Sequence, residues 1–309
     1  MSNLHLFILG LLLIGGMTSC SKENVDPDAD PAVLQSNRED ITNYATTKGL
    51  SGSLTTTGLY YVVTKATSST ATPVAPAIGQ ELEFTYTLYT LTRSVSNSAI
   101  VTDTKVDSTN SVNSVFIPYF SGILKAGLEE GLLKMNEGDQ ATLLVPSNLA
   151  FGNVVSPSPP VPANSAVRYD VTLKRVRTED QQINEYVAAN KLTVTETTSS
   201  GLRFIKTVTS SAVDYPQANQ TLTIRATGKL LRASIPFDST GSTITTALAK
   251  SLMAGFNEGL AKLKVGEKAT LIFPSSIGYK DKGLGGQAEN FVVPPYTPIR
   301  YDIELISAQ

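Results

Sequence analysis

The stretch Gly127 to Met135, GLEEGLLKM, is written a second time from Gly255 to Leu263 as GFNEGLAKL. The next stretch, Gly138 to Pro146, returns at the same offset as Gly266 to Pro274, so the two blocks align without a gap. Outside them, Gly58-Leu59 pairs with Gly201-Leu202, and Arg168-Tyr169-Asp170 pairs with Arg300-Tyr301-Asp302. A repeat of this reach constrains the chain more than any other feature: whatever one half folds into, the other must fold into as well. The length of 309 residues leaves room for two such units of ordinary domain size.

Each unit opens on the capping-box pattern S/T-x-x-E/Q, Ser36 with Glu39 and Thr178 with Gln181. Apolar residues follow at helical spacing: Ile41, Tyr44 and Ala45, then Ile183, Tyr186 and Val187. They predict leader helices, each docking on its own domain or on the neighbour. Leu82, Phe84 and Tyr86 alternate, as do Leu222, Ile224 and Ala226, which predicts strands with one buried face. A Ser/Thr-rich loop leads to a helix of about three turns. Its apolar face is Leu124, Leu128, Leu132 and Met135 in one copy and Leu252, Phe256, Leu260 and Leu263 in the other. Gly138 and Gly266 stand where that helix would stop and the chain reverse. Strands over 141–145 and 269–273, a Pro-rich loop, and closing strands over 167–173 and 299–305 complete each copy. One short helix against an antiparallel sheet, built twice, is an α+β plan.

The scarce residues narrow the chemistry. The sequence holds one Cys, Cys20, and one His, His5. A body downstream of both cannot assemble a Ser-His-Asp or Cys-His nucleophile, a Cys/His zinc site or a disulfide. No metal or cofactor is expected. The formal net charge of −2 offers no concentrated basic surface for nucleic acid. Trp is absent, which argues against a stacking platform for glycans.

The N-terminus reads as an export signal. Residues 6–17, LFILGLLLIGGM, form an apolar run too short to span a bilayer and suited to a signal-peptide core. It ends at Met17-Thr18-Ser19-Cys20, which resembles a bacterial lipobox with Cys20 as the lipidated residue, although no Lys or Arg precedes the run. An ordinary signal peptide with an incidental cysteine is the alternative. The acidic, proline-containing stretch after Cys20 reads as a tether. The expected boundaries are a signal peptide over 1–19, a flexible linker over 20–36, and domains over 37–177 and 178–309. The expected location is the cell envelope, with the chain lipid-anchored at the outer membrane on its periplasmic or surface face.

The blocks GLEEGLLKMNEGDQATLLVPSNLAFG and GFNEGLAKLKVGEKATLIFPSSIGYK are each followed by a proline-bearing loop and then RYD. Together with Phe237-Asp238-Ser239-Thr240 they resemble the FKBP family, over nearly all of 38–309. The resemblance implies two tandem FKBP-like domains of a bacteroidete-like envelope lipoprotein, the fold of one class of peptidyl-prolyl isomerase. It implies proline-containing peptides or unfolded exported proteins as partners.

The resemblance also implies a pocket in each copy. In the second, Phe237 is the wall aromatic and Asp238 the buried carboxylate. Leu252 and Met253 line the rim, with the Met253 N–H receiving a ligand carbonyl. Phe256 is the floor, Tyr279 the loop tyrosine that reaches the substrate carbonyl, and Val293 and Tyr301 close the pocket. Asp238, Tyr279 and Phe237 are the candidate catalytic residues. Two positions depart from the family: Ala226 stands where a tyrosine usually bonds the carboxylate, and Lys280 replaces the glycine after the loop tyrosine. Loss of that tyrosine hydroxyl is expected to leave Asp238 less satisfied or wetter. In the first copy Tyr86 supplies the tyrosine, and Asp107 is the candidate carboxylate with Asp103 as rival. Val106 replaces the wall Phe and Phe151 the loop Tyr. Leu124, Lys125, Leu128, Val161 and Tyr169 fill the other places. Two functions remain open: an isomerase assisting the folding of exported proteins, its second domain the active one, or a non-catalytic peptide-binding module or chaperone.

Overall fold

The computed structural model describes residues 29–67, 73–109, 113–218, 220–239, 244–247, 253–286 and 290–309. Residues 1–28, and with them the apolar leader and Cys20, lie outside the described residues, as does Leu252. Among the described residues no helix is long and apolar enough to cross a membrane.

The first unit runs α1 (Pro31–Thr47), β1 (Tyr60–Lys65), β2 (Glu81–Arg93), β3 (Val101–Ser108), β4 (Val115–Pro118), α2 (Ala126–Leu133), β5 (Gln140–Val145) and β6 (Val167–Arg177). The second runs α3 (Glu179–Ala189), β7 (Arg203–Val208), β8 (Thr221–Leu230), β9 (Asp238–Ser239), β10 (Ile244–Ala247), α4 (Ala254–Ala261), β11 (Lys268–Phe273) and β12 (Ile299–Ala308). Each sheet has seven strands, including a two-residue edge strand at Ser53–Leu54 or Glu196–Thr197. The order is the same in both: edge strand, β1, β5, β6, β2, β3 with β4 also on β2, against edge strand, β7, β11, β12, β8, β9 with β10 also on β8. Every pairing within them is antiparallel. The expected α+β plan of two sheet-on-helix domains, each led by a helix, is the fold observed.

The repeated G-x-x-x-G spacing explains how the short helix seats. Gly127 and Gly131 of α2, and Gly255 and Gly259 of α4, all face the sheet and are buried. A Cβ on Gly259 would stand 2.2 Å from Leu271 Cδ1, so the strand's leucine occupies the room the glycine leaves. The helix is shorter than its apolar pattern suggested, eight residues in each copy. Leu124 comes before it, and Met135 and Leu263 follow it while still packing in the cores. Gly138 and Gly266 do not end the helix. They sit in the turn beyond it at φ +90° and +85°, where only glycine is unstrained.

The leader helices dock on their own sheets, on the face away from α2 or α4. Ile41, Tyr44 and Ala45 pack against Leu91, Val101, Leu144 and Ala166, and Ile183 packs against Ile205 and Ile272. Burying each of the Ile, Leu and Val side chains among these contributes roughly 1.5–3 kcal/mol. Thr178 and Gln181 form the expected capping box on α3. On α1 the expectation fails. The helix starts at Pro31, inside the stretch read as linker, and Asp30 caps it by accepting from the Ala32 N–H at 2.8 Å. Asp before Pro at the first helical position is itself a strong start signal, and it overrides the box five residues further on.

The closing strand explains why RYD recurs. Side chains alternate along a strand, so Arg and Asp face one way and Tyr the other. Arg300 donates to the Tyr186 hydroxyl at 2.9 Å, anchoring α3, and Arg168 does the same to Tyr44 of α1. Asp170 and Asp302 accept from Thr142 and Thr270 on the neighbouring strand, at 2.8 and 2.5 Å. Tyr169 and Tyr301, between them, point into the two domain cores.

No linker separates the domains: β6 ends at Arg177 and the next residue caps α3. Arg232 bridges back to Glu81 with bonds of 2.8 and 2.7 Å and lies 4.0 Å from the centroid of the Phe116 ring. Phe120 meets Phe291 edge-on at 5.8 Å.

Candidate functional site

In the second domain the aromatic cluster gathers around Tyr301. Phe256 on α4 meets its ring edge-on at 4.8 Å, and Phe237 does so at 5.7 Å. Tyr279, in the loop after β11, lies edge-on to Phe237 at 6.2 Å. Val293 is fully buried in the same cluster, held by a bridge to Leu284. Met253 stands at the N-cap of α4, so its N–H and the first helical ones lie beyond the intrahelical ladder. The structure therefore brings together Phe237, Asp238, Met253, Phe256, Tyr279, Val293 and Tyr301.

The carboxylate's partner comes from a strand that sequence reasoning had not assigned to it. With alanine at 226, the Tyr301 hydroxyl on β12 donates to Asp238 Oδ2 at 2.9 Å. Gly228 makes this possible. It is the direct register partner of both Tyr301 and Asp238, and a Cβ there would stand 2.7 Å from Tyr301 Cζ and 2.9 Å from Phe237 Cζ. The bare glycine leaves the surface over which the Tyr301 ring lies. Asp238 itself is exposed rather than buried, which corrects one expectation. It sits on the two-residue strand β9, and no tyrosine at 226 covers it.

The hydroxyls form a row. Tyr279 and Tyr301 oxygens are 3.5 Å apart. Tyr301 has one proton and gives it to Asp238, so in any bond between the two phenols Tyr279 is the donor. At that length the bond is weak and easily surrendered to a better acceptor. Burial raises the pKa of Tyr301, reinforced by Tyr279 and by the Asp238 charge. Burial raises Tyr279 as well, with the Tyr301 bond acting against it and the Asp238 charge with it. Both phenols are therefore protonated donors at neutral pH. Lys280, in place of the usual glycine, adopts φ +56° and keeps the loop closed through Lys280 N to Ser275 O at 2.8 Å.

In the first domain Tyr86 and Asp107 meet as expected, at 2.5 Å, and Asp107 also accepts from the Ser108 N–H at 2.8 Å. Burial first, and then the Asp107 bond and charge, push the Tyr86 pKa up to about 12. Asp103 is on the other side of the sheet, bonded to Tyr44 and Arg168 beneath α1. A bulge decides between them. Leu88 pairs with Asp107 and Tyr89 with Lys105, so Val106 is the extra residue, and the shift turns Asp107 towards Tyr86 and the pocket. Leu124, Leu128, Phe151, Val161 and Tyr169 all pack in this core. Lys125, at the N-cap of α2, holds its ammonium 5.7 Å from the centroid of the ring of Phe151, the residue that replaces the loop tyrosine.

A family model described as FKBP-type peptidyl-prolyl cis-trans isomerase matches residues 73–174 and 213–306. The peptidyl-prolyl cis-trans isomerase FKBP9 of Mus musculus is 27% identical over 215 residues, 68% of this chain and 33% of that protein. The FK506-binding protein 1B of Neurospora crassa is 35% identical over 103 residues, 30% of this chain and 87% of that protein. A solved peptidyl-prolyl cis-trans isomerase from Pseudomonas syringae is similar at 24% identity and a TM-score of 0.35, covering 41% of this chain and 90% of that one. The chain spans about a third of the length of the FKBP9 relatives it matches.

Proposed function

Because this chain belongs to the family of FKBP-type peptidyl-prolyl cis-trans isomerases, we propose that its second domain isomerises X-Pro bonds in exported polypeptides. The observation that carries this reading is the row Asp238, Tyr301, Tyr279 beside an aromatic floor. An X-Pro bond turns over unaided in tens to hundreds of seconds, across a barrier of about 18–20 kcal/mol. In the twisted transition state the amide loses resonance and with it part of its charge separation. Water solvates the planar form better, so a dry pocket of Phe237, Phe256, Val293 and Tyr301 favours the twisted one. Tyr279 turns its proton from Tyr301 to the substrate carbonyl, and Asp238 holds Tyr301 in place while it does so. No covalent step is required.

The test is a protease-coupled X-Pro assay on the whole chain. Asp238→Ala and Tyr279→Phe are each expected to lower kcat/KM about tenfold, the worth of one hydrogen bond to a charged or reacting group. Tyr86→Phe, in the other domain, is expected to leave the rate unchanged. An unaltered rate in Asp238→Ala would overturn the site assignment.

The first domain supports a different role. With Phe151 in place of the loop tyrosine and the Lys125 ammonium beside it, its pocket lacks a neutral hydroxyl donor at that place. We assign it peptide binding without catalysis, in the manner of a chaperone module.

The leader ending at Cys20 supports export and lipid anchoring in the cell envelope, at the outer membrane. With Cys20 replaced by alanine, metabolic labelling with a fatty acid is expected to vanish and the protein to leave the membrane fraction. Labelling that persists in the variant would sink the lipoprotein reading.

A further inference from the structure

A cleft of about 350 Å³ lies between the two domains. Phe116 of β4 forms one wall, and Tyr186 and Ala189 of α3 another. Leu230 and the loop residues Pro294 and Pro298 complete it. The cleft exists only because the domains are joined, and neither repeat alone predicts it.

Its polar members define what can enter. Glu81 is bonded to Arg232 and sits 3.3 Å from the Arg177 guanidinium. Glu185 is paired with Arg175 at 2.6 Å and Arg177 at 3.5 Å. The carboxylates are already answered by arginines, so a charged ligand has little to gain. Gln182 differs: it lines the cleft, and its Nε2 is buried with no acceptor among the described residues. Leaving an amide donor unmet is costly, and rotating the broad terminal torsion turns it to an incoming carbonyl. Apolar walls and one waiting amide donor fit an uncharged, extended polypeptide.

The cleft adjoins the pocket of the second domain, since Leu230 lines the cleft and also packs against that domain's core. Val293 closes that pocket, and Pro294, the next residue, lines the cleft. Leu230 ends β8, and the chain returns seven residues later as the wall aromatic Phe237. Three or four residues on either side of a client's proline, extended, reach about 10–14 Å beyond it.

We propose that the interdomain cleft is an accessory subsite for the apolar residues that flank the proline of a client bound in the second domain. The proposal rests on the peptide-binding reading of that pocket. The cleft selects unfolded over folded segments, because it accepts apolar side chains and a bare carbonyl together.

The experiment compares labelled peptides on the full-length protein by fluorescence anisotropy. One is a short X-Pro tetrapeptide. A second extends it on both sides with Leu and Phe, and a third extends it equally with Ser and Gly. The apolar extension is expected to tighten binding about tenfold, the effect of burying one apolar side chain, and the Ser/Gly extension is expected to add nothing. Ala189→Trp, at an exposed position on the cleft wall, fills the space. It is expected to remove the tenfold gain while leaving turnover of the tetrapeptide unchanged. Gln182→Ala is expected to remove part of the gain, with thermal melts confirming that both variants fold. Equal affinity for all three peptides in the wild type would overturn the proposal, as would a gain that survives Ala189→Trp. A gain abolished by Ala189→Trp in a protein that turns over no tetrapeptide would support the cleft and defeat the isomerase reading.

Discussion

Replacing Arg177 with alanine is expected to destabilise the chain by about 3–5 kcal/mol, the cost of orphaning a buried ionic partner. The side chain is 3% exposed at the end of β6 and stands among three carboxylates, Glu81, Glu83 and Glu185. Its guanidinium also lies 5.5 Å from the centroid of the Phe116 ring. Glu81 keeps Arg232 in the variant, but Glu83, 16% exposed, loses the cation it is bonded to. Chemical denaturation of the whole protein reads the effect as a lower midpoint in the first domain. A companion variant, Arg177→Met with Glu83→Leu, removes both charges and is expected to recover most of the loss. A loss below about 1 kcal/mol in Arg177→Ala would place this cluster with hydrated surface pairs instead.

The second large effect is expected at Gly228. Alanine there introduces a Cβ at 2.7 and 2.8 Å from two carbons of the Tyr301 ring, closer than side chains pack. The ring cannot simply retreat, since Phe256 stands at 4.8 Å and Phe273 is stacked at 6.4 Å. Tyr301 must tilt away from Asp238, or Phe237 must leave the wall. Either way the row of hydroxyls breaks. Gly228→Ala is expected to lower kcat/KM for X-Pro peptides ten- to a hundredfold, in the range of lost active-site hydrogen bonds, roughly 1.5–3 kcal/mol. Its stability cost should be that of overpacking, about 1–3 kcal/mol. Tyr301→Phe is expected to share the kinetic loss while keeping the packing. A Gly228→Ala protein with full activity would show that Tyr301 does not position Asp238.

Part of this site is legible in the sequence and part is not, for physical reasons. Repeats, strand alternation and the Thr178 box are local patterns, and the strands and the start of α3 follow from them. Tyr86 with Asp107 was within reach because both members of the pair fit one family pattern. Which of Asp103 and Asp107 faces the pocket was not, because a single extra residue at Val106 reverses the faces and leaves no mark in composition. Tyr301 as the partner of Asp238 was hidden for another reason. In the first domain Leu88 occupies the place of Gly228 and is buried at 1%, while Tyr86 reaches the carboxylate from its own strand. The second domain reaches its carboxylate from the adjacent strand, with only a methyl at 226 and no side chain at 228. The bridge from Glu81 to Arg232 spans the two repeats, so no periodicity within either could disclose it.

The junction at Arg177 and Thr178 leaves no slack between the two halves. Flexible tethers let two modules find any pair of sites within reach, at the expense of the tether's freedom on each double engagement. Here that freedom is already gone. If both proposed pockets engage one client, that client meets a caliper: spacings that match the two jaws gain from the second engagement and others do not.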